Sequence, residues 1–166
     1  GYQTDQGFID WIKGDRNESW VTMLPRQLFE QGASYEEAVE AISTKQLTIS
    51  VYYIMSGPAE NELVVLTRNN TSLVNKWTLD ESIDQWYLLE TNYDHWVSPP
   101  FYDNRRGAGD QCMNQWNAST IDKGKMYDVL STDPVLNQAT VYTVLMDAAT
   151  GSLESWVRRC EICALF

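Results

Sequence analysis

The 166-residue chain has one histidine, three cysteines and 12 basic residues, and each shortage excludes a class of function. A zinc site built on the Cys160-x-x-Cys163 pair would need two more ligands, and His95 is the only histidine, so no metal is expected. No motif calls for a cofactor. Twelve cations face 23 carboxylates, and a net charge of −11 at pH 7 repels phosphate backbones, which argues against nucleic acid as a partner. No apolar run approaches the roughly 20 residues of a spanning helix. The N-terminus has no basic region followed by an apolar core, so neither a transmembrane segment nor a signal peptide is predicted. There is no internal repeat and no low-complexity stretch. The chain opens at Gly1 rather than Met, which points to a processed product or an excised portion of a longer protein.

What is abundant is bulk. Seven Trp, nine Tyr and a 43% hydrophobic content demand a core, and the length suits one domain or part of one. Four N-x-[ST] acceptor patterns, at Asn17, Asn69, Asn70 and Asn117, lie in polar, loop-like stretches and favour a secretory route. In an oxidising compartment the odd cysteine count reads most simply as a local Cys160–Cys163 bridge, with Cys112 paired to another chain or to a segment not in this sequence.

The first 45 residues show helical spacing. Phe8, Ile9, Trp11 and Ile12 form one stripe, and Trp20, Val21, Leu24, Leu28 and Phe29 form a second, with Pro25 as a kink or a first-turn residue. Ser34 and Glu37 spell a capping box before Ala38, Val39, Ala41 and Ile42. Strands are predicted over Leu47–Ile54, Leu63–Thr67, Ser72–Leu79 and Gln85–Thr91, joined by short polar turns that favour antiparallel pairing. Residues 97–117, with Pro99, Pro100, Gly107 and Gly109, read as a long ordered loop. A helix over Thr120–Leu130 and a hairpin of Ala139–Ala148 with Ser152–Arg158, turning at Thr150-Gly151, complete an α+β reading. Trp86, Tyr87 and Tyr142 are expected in the core.

The chemistry concentrates in Thr91-Asn92-Tyr93-Asp94-His95-Trp96 and the following Asp103-Asn104-Arg105-Arg106, where a strand end meets a polar, aromatic loop. Spacing alone favours an Asx-type turn with a solvated charge cluster over a site.

The run Glu90–Trp96, Asp103-x-Arg105-Arg106, Met126–Thr132, Pro134–Asn137 and Thr140–Thr143, with Gly7–Ile12 and Ser34–Ala38 upstream, resembles the acid ceramidase family. The related N-acylethanolamine acid amidases share the Asn-Tyr-Asp-His-Trp segment. The resemblance covers essentially all of residues 1–166, read as the C-terminal portion of a single domain. It implies an N-terminal-nucleophile hydrolase, an αββα sandwich whose precursor cleaves itself to expose an N-terminal cysteine on a β-subunit. That thiol attacks the amide of an N-acyl lipid such as ceramide, and the freed α-amine serves as base. The nucleophile and the Arg, Asp and Glu that follow it in the family have no counterparts here, so this chain alone is expected to be inactive.

By the same resemblance, Asn92 matches an oxyanion-side asparagine and Arg105 an active-site arginine, while Arg106 is structural. Tyr93 and Trp96 are expected to pack under the loop or to wall the site, and His95 to lie at the surface or behind the site rather than act as a base. Asp94 is expected either to orient Arg105 or to sit in an ordinary turn or salt bridge. The implied partners are the missing N-terminal part of the β-subunit, an α-subunit disulfide-linked through Cys112, the N-acyl lipid and a lipid-presenting activator protein. The family closes its terminal cysteine pair locally with a C-x-x-x-C spacing, one residue wider than Cys160-x-x-Cys163. Two alternatives stand beside ceramide hydrolysis: a catalytically silent secreted paralogue that binds lipid or protein, and an N-acylethanolamine amidase.

Overall fold

A computed structural model of the chain describes residues 6–163; Gly1 lies outside them. The chain forms two compact units, residues 1–79 and 80–166.

The first unit stacks helices on an antiparallel sheet. Helix α1 spans Gln6–Ile12, α2 Met23–Gln31 and α3 Tyr35–Thr44; strands β1 (Val51–Ser56), β2 (Leu63–Arg68) and β3 (Leu73–Trp77) pair in sequence order. Pro25 falls in the first turn of α2, where its missing N–H has no intrahelical partner to lose. Gly32 ends that helix at φ 66°, a left-handed value that suits a residue with no Cβ. The capping box opens α3 as the sequence predicts, with Glu37 N donating to Ser34 Oγ at 3.2 Å and Ser34 N to Glu37 Oε2 at 2.8 Å.

Strand β2 is central, and Val64, Val65 and Leu66 are fully buried. Leu24, Ile42, Leu47, Tyr53, Val64 and Leu66 make the core, each large aliphatic contributing about 1.5–3 kcal/mol by leaving water. The strand predicted from Leu47 begins instead at Val51. Leu47 and Thr48 are buried, but their amides bond to the carbonyls of Asn70 and Ser19, at 2.8 and 3.1 Å, so this segment pairs outside the sheet. Arg68 is 1% exposed. Its guanidinium donates to the carbonyls of Ile42, of Lys45 at 2.8 Å and of Ser72 at 2.9 Å, which satisfies the C-terminal end of α3.

In the second unit, two 3-10 turns (Glu81–Ile83 and Phe101–Asp103) precede α4 (Arg105–Met113), α5 (Lys123–Val129) and the hairpin of β4 (Tyr142–Asp147) with β5 (Ser152–Val157). Gln85–Thr91, predicted as a strand, runs without forming one among the described residues. The predicted loop over 97–117 contains α4. Its glycines allow close approach rather than breaking the helix: a Cβ on Gly109 would stand 2.7 Å from Leu89, and one on Gly107 2.6 Å from the capping Asn104 amide. The helix predicted from Thr120 starts at Lys123 because Asp122 caps it, accepting from Lys125 N at 2.9 Å.

The hairpin turns where predicted, with Gly151 at φ 69°. Thr143 and Leu145 are buried, whereas Tyr142, expected in the core, is 66% exposed, because it alternates onto the opposite face of the strand. Trp86 and Tyr87 are half-buried and stack edge-to-face at 4.9 Å. No helix among the described residues is long and apolar enough to cross a membrane.

Candidate active site

The site is assembled from two short pieces of the second unit, the 90–97 turn and the start of α4. Consecutive arginines at the first two positions of α4 place two cations at the positive end of the helix dipole, an unfavourable arrangement unless each is compensated. Each is, by a different carboxylate. Asn104 caps the helix, accepting from Gly107 N at 3.0 Å, and so fixes where the two arginines leave the backbone.

Arg106 turns to the backbone of the preceding turn. Its guanidinium donates to the carbonyls of Tyr93, of Asp94 at 3.2 Å, of His95 at 3.3 Å and of Val97 at 2.8 Å, and it stands 3.8 Å from Glu90. One planar donor fork thereby holds the whole 93–97 turn, which Val97 N closes onto Asp94 O at 2.8 Å. The Glu90 side chain is 1% exposed, and burial pushes its carboxyl above the usual range against the opposing pull of the Thr91 amide and Arg106.

Arg105 turns the other way. Its Nε donates to Asp103 Oδ1 at 2.7 Å, one Nη donates to Asp103 Oδ2 at 3.2 Å, and that same Nη donates to Asn92 Oδ1. Asp103 is buried, with its side chain 7% exposed. The hydrogen bond from Arg105 holds its carboxyl below the usual range, opposed by burial and assisted by the Tyr93 hydroxyl. Tyr93 is pushed up, by burial first and then by Asp103.

The consequence for Asn92 is chemical. A guanidinium has donors and no acceptor, so it meets the amide through its oxygen, and the Nδ2 hydrogens point the other way. Asn92 is exposed, and its outward end is therefore a neutral two-proton donor with a cation behind it. Such a group stabilises a developing oxyanion without a change of charge state at the moment of reaction.

The structure thus brings Asn92, Tyr93 and Arg105 together and adds Asp103, which the sequence had shown only as part of a motif. An aspartate two residues before an arginine was the available signal. Asp94 lies in the turn, its carbonyl taken by Val97 N and Arg106. His95 meets Trp96 edge-to-face at 4.7 Å, and burial, followed by the charge of Arg106, lowers its pKa. Trp96 is half exposed.

Cys112 lies further along α4 as a free, partly buried thiol, 3.7 Å from Thr132 Oγ1. Cys160 and Cys163 form a disulfide. Asn17 and Asn117 are exposed, and Asn69 and Asn70 half-buried. No group of three or more potential metal ligands occurs among the described residues.

No family model matches the chain. It is 38% identical to acid ceramidase of Balaenoptera acutorostrata scammoni over 162 residues, 96% of this chain and 41% of that protein. Identity to the Homo sapiens acid ceramidase is also 38%, over 154 residues, 93% of this chain and 39% of that one. Among solved structures it superposes on a Caenorhabditis elegans N-acylethanolamine-hydrolyzing acid amidase ortholog with a TM-score of 0.70 and 35% identity, covering 83% of this chain and 61% of that one. The chain is a homologue of acid ceramidases along nearly its whole length and spans about two fifths of theirs. Its helices and antiparallel sheets are those of an N-terminal-nucleophile hydrolase, the fold class expected from the sequence.

Proposed function

We propose that the full-length protein is an amidohydrolase that cleaves the amide bond of an N-acyl lipid, ceramide foremost, with a cysteine nucleophile supplied from outside these 166 residues. The observation that carries this reading is the exposed Asn92 amide, held through its oxygen by Arg105, a bond that leaves its two protons unused. The thiolate adds to the acyl carbon, and the carbonyl electrons move onto oxygen, where Asn92 Nδ2 donates to the oxyanion. Collapse re-forms the carbonyl and breaks the C–N bond, and the amine leaves with the proton that the α-ammonium returns. Water then cleaves the thioester to release the fatty acid. Arg105 acts by orienting Asn92 and by placing positive charge behind it. Without the nucleophile, this chain by itself does not turn over substrate.

The residues 1–166 are read as the C-terminal portion of one domain of a glycosylated lysosomal or extracellular protein. Cys112 is its link to a second subunit, and a lipid-presenting activator protein is a further partner. A second reading, hydrolysis of N-acylethanolamines, is favoured by the superposition on the nematode amidase ortholog. Purified full-length protein given N-acylsphingosine and N-acylethanolamine with the same acyl chain separates them. A higher kcat/KM on N-acylsphingosine supports the first reading and the reverse order the second; release of fatty acid from neither sinks both and leaves a silent binding protein.

A further inference from the structure

An exposed asparagine ordinarily has two nearly equivalent orientations, because reversing its amide exchanges oxygen for nitrogen at little steric cost. Only one presents donors to an oxyanion. In this structure Arg105 selects it, but Arg105 is itself a long side chain and needs a partner to stay in place. That partner is the buried carboxylate of Asp103, which takes both the Nε and an Nη proton. The Tyr93 hydroxyl, on the residue that follows Asn92 in the chain, also helps hold the Asp103 carboxyl low. Three side chains thus form a hydrogen-bonded chain, from Asn92 to Arg105 and from Arg105 to Asp103.

We infer that Asp103 is a positioning residue that fixes which end of the Asn92 amide faces the substrate. The inference rests on the amidase reading of Asn92 given above. Asp103 touches no reacting atom; it acts through Arg105. Its carboxylate, held below the usual range by Arg105, stays ionised at mildly acidic pH, so its pairing with Arg105 persists there. An asparagine at position 103 would keep the shape, lose the charge and turn an N–H group toward one of the guanidinium donors.

The test uses full-length protein and a ceramide carrying a fluorescent acyl chain. Asp103→Asn is expected to lower kcat by roughly tenfold or more while KM moves less than about threefold, the pattern of an interaction felt in the transition state. Tyr93→Phe, which removes one oxygen, is expected to act in the same direction but more weakly, and it remains informative if Asp103→Asn does not fold. Neither substitution should lower kcat further on an Asn92→Ala background, because a positioning residue has nothing left to position. A crystal structure of the Asp103→Asn protein is expected to show Arg105 withdrawn from Asn92 Oδ1.

Full additivity in the double variants, or Arg105 still bonded to Asn92 in that structure, overturns the inference. Lost turnover in Asn92→Ala with wild-type turnover in Asp103→Asn and Tyr93→Phe overturns this inference alone. Wild-type turnover in Asn92→Ala overturns it together with the reading beneath it.

Discussion

Replacing Asn92 by Asp separates the two ends of one side chain. The new carboxylate keeps an oxygen for Arg105 to bond, so that contact survives. What disappears is the donor. Loss of one oxyanion-hole donor costs about 100- to 1000-fold in kcat, or about 2.7–4 kcal/mol in the barrier. A carboxylate facing the developing oxyanion adds repulsion of up to about 4 kcal/mol at 4 Å and an effective dielectric of about 20, reduced here by Arg105 and by solvent around an exposed group. The fall in kcat is therefore expected to exceed roughly 1000-fold. Stability should change by no more than about 0.5 kcal/mol, as for surface substitutions that keep their contacts. Because the pairing with Arg105 holds the new carboxyl ionised, lowering the pH to about 5 should not restore turnover. The assay is fatty-acid release by full-length protein between about pH 4.5 and 7, beside a urea melt of the same sample. A folded Asn92→Asp protein that turns over within tenfold of wild type would refute the reasoning.

Arg68→Met should leave the carbonyls of Ile42 and Lys45 without their donor, while Ser72 O keeps the Asn69 amide, and cost about 2 kcal/mol or more, at about 1–3 kcal/mol for each unsatisfied group; an unchanged urea midpoint would contradict this. Glu90 has its carboxyl raised in the folded state, so its contribution to stability is fully present below the unfolded value near about 4.3 and is lost as pH rises through the folded one. Glu90→Gln should therefore shrink the rise in Tm seen on going from neutral to mildly acidic pH, and an equal rise in both proteins would show that burial does not govern this carboxyl. Nonreducing peptide mapping of the secreted full-length protein should find Cys112 in a disulfide to another subunit, and a free thiol there would count against a two-subunit architecture.

Much of the fold was legible because local rules and tertiary packing agree. Ser34 and Glu37 define a helix start wherever they stand, and the β-branched, aromatic and aliphatic runs of β1 and β2 mark strands directly. The failures have a common cause in contacts distant along the chain. Gly107 and Gly109 look like breakers until Asn104 and Leu89 are seen pressing against them. Leu47 and Thr48 have strand composition, but their amides are taken by Asn70 and Ser19. Arg68 reads as an ordinary strand-end charge, and no sequence pattern shows that it caps α3 from a strand. In the candidate site, Asn92 and Arg105 were visible through a resemblance that named them. Asp103 stood in the same motif without a role, because a residue that acts through its partner is recognised by that partner's geometry.

The most direct measurement is a crystal structure of the full-length protein carrying a tetrahedral adduct of an N-acyl substrate analogue on its nucleophile. The account predicts Asn92 Nδ2 about 2.7–3.1 Å from the adduct oxygen, with Arg105 and Asp103 in the places they hold here. An adduct oxygen held by other donors, with the Asn92 amide turned away from it, would contradict the account.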